Sequence, residues 1–168
     1  MLFSHGKHWI YHWEITMKRA CLALLALFFA ASAFAGEDPE GDKIMHAYVL
    51  AMPKVQAYDA ATVALYDAQK KDPAFKAESD AMAREPSDTV AQLRSKMDRH
   101  PRIFSFFQSR GLTRDDAALM PFVLLDACSV AQAPNPAPDP SISAQQIAFC
   151  KANQTALQNL KMFSNKLE

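Results

Sequence analysis

Glycine is scarce in this chain. Four glycines occur in 168 residues, and beyond Gly41 only Gly111 remains. A phosphate-cradling loop needs several glycines so that the backbone can wrap the anion, so that class of nucleotide site is excluded. The strained Gly-x-Ser-x-Gly turn of the α/β-hydrolases is absent for the same reason. Three cysteines occur, Cys21, Cys128 and Cys150, with no Cys-x-x-Cys spacing. That removes thioredoxin-like redox chemistry and haem attachment. Neither charge sign is in excess, with 18 basic and 18 acidic residues. The chain therefore lacks the electrostatic footprint of a nucleic-acid binder and any polybasic run for anionic lipid. Alternating apolar and polar stretches are missing too, so strands are not expected.

One long apolar run is present. Lys18-Arg19 precede an uninterrupted apolar stretch from Ala20, which ends in Ala31-Ser32-Ala33-Phe34-Ala35 before Gly36. Positive charge, a short apolar core and small residues at the −3 and −1 positions define a secretory signal peptide over residues 17–35, cut between Ala35 and Gly36. The core is shorter than the roughly 20 apolar residues a membrane span requires, so no anchor is expected to persist after cleavage. Cys21 lies at the start of the run, not after the cut, which argues against lipidation. Residues 1–16 precede an ideal initiator, Met17, and read as an upstream extension foreign to the working protein. They contain both tryptophans, Trp9 and Trp13, and the pair His8 and His12, which has helical metal-ligand spacing but no third ligand.

Residues 36–168 then form a single domain of ordinary size. They hold fifteen of the basic and seventeen of the acidic residues, a net charge near −2. The expected location is periplasmic or secreted. Cys128 and Cys150 are the two cysteines left, and in an oxidising compartment an isolated pair forms a disulfide. A hairpin of the last two helices would set them at similar height, 22 residues apart in sequence.

Helical spacing runs through the rest, punctuated by proline and caps. The expected fold is all-α, a small bundle of about five to six helices. Residues 36–41 are small and acidic and are expected to be disordered. A first helix is expected over residues 42–51. A second follows Pro53 and ends at residue 71, with Val55, Tyr58, Thr62, Leu65 and Gln69 facing inward. Asp72 and Pro73 cap and open a third, largely polar helix carrying Phe75 and Met82. Ser87 is the expected cap of a fourth helix over residues 88–99, with Val90, Leu93 and Met97 on one face. His100-Pro101 marks a bend, Gly111 a stop, and Thr113 with Asp116 a capping box. The apolar helix over residues 117–131 is expected to be central, because a helix apolar all round is buried all round. A proline-rich loop spans residues 132–142. Ser143 and Gln146 cap a last helix over residues 144–165, with Ile147, Cys150, Leu157, Leu160 and Ser164 inward.

No catalytic constellation is visible, and neither a cofactor nor a metal is expected. His100 lacks an identifiable nucleophile. Asp126 sits within an otherwise apolar stretch, so it must be paired or protonated. It reads as a contact to Arg, Lys or a backbone N–H on a neighbouring helix, with a polar anchor at the base of an apolar pocket as the functional alternative. The cluster of Phe104, Phe106 and Phe107 reads as core, with a role in ligand or partner contact as the alternative. Two functions of different class follow. The first is a non-enzymatic interaction or accessory protein of the cell envelope with a protein partner. The second binds a small apolar ligand between helices, with Asp126, His100, Phe104 and Phe107 as contacts. A lined cavity of a few hundred Å3 would favour the second, and a closed core with no cavity would rule it out.

Overall fold

The structure, a computed structural model, describes residues 38–135 and 138–162. The upstream extension, the signal peptide, its cleavage point and Ser164 lie outside these residues. Among the described residues the fold is all-α, with eight helices and no strand. They are α1 (Pro39–Ala47), α2 (Met52–Lys71), α3 (Pro73–Ala83), α4 (Val90–Arg99), α5 (Pro101–Gln108), α6 (Arg114–Gln132), α7 (Ala144–Ala152) and α8 (Gln154–Gln158).

Eight helices replace the expected five or six because prolines and caps divide the chain more finely than periodicity suggests. Pro39, Pro53, Pro73 and Pro101 each occupy the first turn of a helix, where the missing N–H has no partner to lose. The last helix is also interrupted, at Asn153, whose side-chain amide donates to the Phe149 carbonyl at 2.8 Å. That bond competes with continued helix, so α7 and α8 stand where one helix to residue 165 was expected.

The described part of the acidic start is ordered, contrary to expectation. Asp38 caps α1 by accepting from the Gly41 N–H at 2.9 Å. Its second oxygen accepts from the Val90 N–H at 3.2 Å, so one carboxylate serves the first turns of two helices. Gly41 is buried against it, and a Cβ there would fall 2.3 Å from Asp38 Oδ2. The helix begins at Pro39, earlier than expected, and ends at Ala47.

Thr89, not Ser87, caps α4, in a capping box with Gln92. Ser87 instead accepts from Lys96. In α2 the inward stripe is Val55, Tyr58, Ala61, Leu65 and Gln69, with Ala61 taking the buried place expected of Thr62. Thr62 instead returns its hydroxyl to the Tyr58 carbonyl at 3.0 Å.

The capping boxes of α6 (Thr113 with Asp116) and α7 (Ser143 with Gln146) are both present. Gly111 has a φ of 76° and turns the chain from α5 towards α6, a conformation that costs a Cβ-bearing residue about 1 kcal/mol or more. α6 packs against α1, α2, α4, α5 and α7. Its first half is the centre of the core, with Leu119, Met120, Val123 and Leu124 all but inaccessible. Each such side chain contributes roughly 1.5–3 kcal/mol of burial. Its last turns are less enclosed: Ser129 and Gln132 are exposed. Cys128 and Cys150 join this end of α6 to α7 at disulfide distance, with sulfurs 2.18 Å and Cα atoms 5.2 Å apart. No helix of the described residues is long and apolar enough to cross a membrane.

Candidate functional site: a cleft beneath α3 and α4

The Asp72 cap and Pro73 turn α3 back along α2. The Phe75 ring anchors it, fully buried and 5.5 Å from that of Phe106. The same face then presents Ser79 and Met82, four and seven residues on, which is the helical spacing of one stripe. On α4, Val90, Leu93, Lys96 and Met97 are all buried. Between these helices and the core lies a cleft of about 370 Å3, within the usual size range of small-molecule sites. Leu65, Met82, Leu93, Ile103, Phe107 and Phe122 supply apolar wall. Residues 84–88, between α3 and α4, also line it.

Three buried polar side chains interrupt the apolar wall. Lys96 is 4% exposed. Its ammonium donates to Ser87 Oγ and forms no ion pair with a described carboxylate. Burial pushes its pKa down, partly countered by the field of Glu85. Ser79 is 5% exposed, and its Oγ is fully buried without a hydrogen-bond partner among the described residues. Mid-helix serines commonly return the hydroxyl to the backbone one turn back, and this one does not. Gln69 completes the set, at 9% exposure.

The nearby carboxylate is turned to other partners. Glu85 accepts from Arg99 and lies 2.8 Å from His100 Nε2. Arg99 first and His100 second hold its pKa below the ordinary carboxylate value. It is therefore an anion already neutralised beside the cleft. Ser87 is not set up as a nucleophile. It receives a proton donor from Lys96, and its own hydroxyl points to the Glu85 carbonyl at 3.3 Å, so no base faces its proton.

Of the residues singled out in the sequence, Phe107 lines the cleft and is buried, packing on Tyr58 with ring centroids 5.0 Å apart. Phe104 packs against the core without lining the cleft. His100 touches the site through Glu85, capping the junction of α4 and α5 with its ring mostly buried. Asp126 stands apart. It lies on the second half of α6, lines neither the cleft nor a second cavity of about 320 Å3 beside the Cys128–Cys150 pair, and has no hydrogen bond or ion pair among the described residues. The expected polar partner is thus not found there. Burial first, and the Asp139 carboxylate second, raise its pKa from 3.8 to about 6. A partly buried acid can remain near water and adjust its protonation instead of acquiring a partner.

Ser79 and Lys96 were not singled out in the sequence, although a signal exists. Ser79 interrupts the stripe Phe75, Ser79, Met82, and Lys96 lies one helical turn from Leu93. A polar residue on an apolar stripe is the pattern that carries them. No group of three or more His, Cys, Asp or Glu side chains that could hold a metal occurs among the described residues. Compared with protein-family models, with curated proteins and with solved structures, the chain matches none.

Proposed function

We propose that this chain is an exported, non-enzymatic accessory protein of the cell envelope that works by holding a small, largely apolar molecule in the cleft beneath α3 and α4. The observation that carries the reading is the cleft itself, a volume of about 370 Å3 walled by core side chains and marked by a few polar groups. That combination is the ordinary composition of a ligand site. An aromatic surface for a protein partner has less support, because Phe107 is buried and Phe104 and Phe106 pack on the core. The large apolar side chain most open to solvent among the described residues is Val49, at 57%, and a single such residue is no patch.

Export rests on the sequence pattern of residues 17–35. In this reading the mature chain starts at Gly36, resides in the periplasm or outside the cell, and carries the Cys128–Cys150 bridge. Intact mass measurement of protein isolated gently from the envelope tests both parts. A native mass exceeding the denatured mass supports a resident ligand, and a native mass equal to it counts against one. A denatured chain starting at Gly36 that gains two hydrogens on reduction supports export and the bridge. A start at Met1 or Met17 removes the export argument.

A further inference from the structure

We infer that the cleft receives a monoanionic amphiphile, a small carboxylic acid whose headgroup meets the Lys96 ammonium and the Ser79 hydroxyl while its apolar body lies along Met82, Leu93 and Phe107. This rests on the ligand-binding reading above and adds the chemistry of the ligand.

The charge of Lys96 is unbalanced. Lys96 is 4% exposed and lines an apolar cleft. An ammonium carries three donors, and one of them is used, on the neutral Ser87 oxygen. Buried charges are ordinarily paired. The carboxylate best placed to do so, Glu85, is drawn off by Arg99 and His100.

Ser79 points the same way independently. It lines the same cleft, and its Oγ is buried with no partner among the described residues, an arrangement that costs free energy until the hydroxyl finds an acceptor. A carboxylate supplies what both groups lack, since its two oxygens accept from an ammonium and a hydroxyl together. A phosphate dianion fits less well. Its second charge and third free oxygen would need more donors than the ammonium and the hydroxyl supply. Deprotonating the lysine to avoid the charge is the alternative open to the empty protein. The acid makes the charged form favourable, so binding and protonation of Lys96 are linked.

The test uses the mature chain, residues 36–168, and a neutral fluorescent probe, N-phenylnaphthylamine, displaced by decanoate, decanol or decylamine at neutral pH. Decanoate should displace the probe at a concentration about tenfold or more below that of decanol, with decylamine weakest, as expected of a charge-assisted contact. Lys96→Met should erase the preference for decanoate over decanol and leave probe binding intact. Ser79→Ala should reduce the preference several-fold. Should Lys96→Met fail to fold, the unaltered protein answers the question. Its decanoate affinity should fall towards that of decanol as pH rises towards the ordinary lysine range, and fall earlier than for a solvated lysine. The other charged side chains lining the cleft are Arg84, Glu85 and Asp88, with Arg99 paired to Glu85. Equal affinity for acid and alcohol, or a preference that survives loss of Lys96 or its deprotonation, would overturn the assignment of an acid while leaving the cleft as a ligand site. Failure of the probe and all three amphiphiles to bind would instead remove the ligand-binding reading itself.

Discussion

The Tyr48 hydroxyl donates to Asp116 Oδ1 at 2.7 Å, joining positions 68 residues apart. The same oxygen accepts from the Lys54 ammonium at 2.8 Å. The other accepts from the N–H and hydroxyl of Thr113 at 2.9 and 2.8 Å. A helix cap for α6 is thereby also the tie that holds the α1–α2 junction to the centre of the fold. Asp116 is 1% exposed, and burial alone would raise its pKa. The Lys54 ammonium, the Thr113 N–H and the Tyr48 hydroxyl together bring it down to about 2.

Asp116→Ala should therefore destabilise the protein by about 3 kcal/mol at neutral pH, since it leaves several donors unpaired. Tyr48→Phe should cost about 1 kcal/mol. Urea unfolding followed by circular dichroism measures both. The sign with pH follows from a depressed folded value. The carboxylate's contribution is present above its unfolded value near 3.8 and is lost as pH falls towards about 2. The Ala variant should show a weaker acid dependence over that window.

Asp126 titrates in the opposite sense. Its folded value of about 6 lies above the ordinary 3.8. Its contribution is full below the ordinary value and is lost as pH rises through about 6. Asp126→Asn removes the ionisable group at nearly constant shape. The variant should match the parent near pH 4 and exceed it by about 1–2 kcal/mol near pH 7, a figure discounted for solvent screening. Melting temperatures across this range would show the gap opening; a constant difference would argue against the titration.

Tyr58→Phe should be neutral or stabilising by up to about 1 kcal/mol. The ring is buried against Phe107, and its hydroxyl has no partner among the described residues. Removing a buried, unbonded hydroxyl loses no hydrogen bond and keeps the apolar contact. Burial also raises the phenol's pKa, so the parent should lose stability in strong alkali, where an unfolded tyrosine ionises first. The variant should lose less. Denaturant midpoints at neutral and alkaline pH would decide this.

Reducing the Cys128–Cys150 pair should cost about 3 kcal/mol, the loop-closure value for a span of 22 residues. Cys128→Ser with Cys150→Ser should give the same loss and make the melting temperature indifferent to reductant. An unchanged melting temperature on reduction would show that packing alone holds α7 to α6, with the Gln146 contacts tying α7 to the end of α1. The Gln146 amide donates to the Met45 and Tyr48 carbonyls at 2.7 and 2.8 Å.

Local chemistry made much of this fold legible. Asp72 and Pro73, Thr113 and Asp116, and Ser143 and Gln146 act within three residues of each other, so composition and spacing suffice to read them. The apolar stretch of α6 likewise announced a buried helix. The bounds of α1 and of the last helix were less legible, because Asp38 gains its second bond from Val90, far along the chain, and the Asn153 side chain has several local bonds to choose among.

The candidate site divides along the same line. The sequence by itself determined the all-α class, the pairing of Cys128 with Cys150, most of the inward faces of α2 and α4 (though not Ala61 or Lys96), and the absence of glycine-dependent sites. These depend on periodicity, caps and counts. Only the tertiary structure decided that Ser79 and Lys96 share a cleft, that Glu85 is taken by Arg99 and His100, and that Asp126 stands away from it. Each of those facts depends on which groups helices from distant parts of the chain leave facing one another. A buried polar group becomes a site only when its neighbours fail to satisfy it, and a sequence shows the group without showing the neighbours.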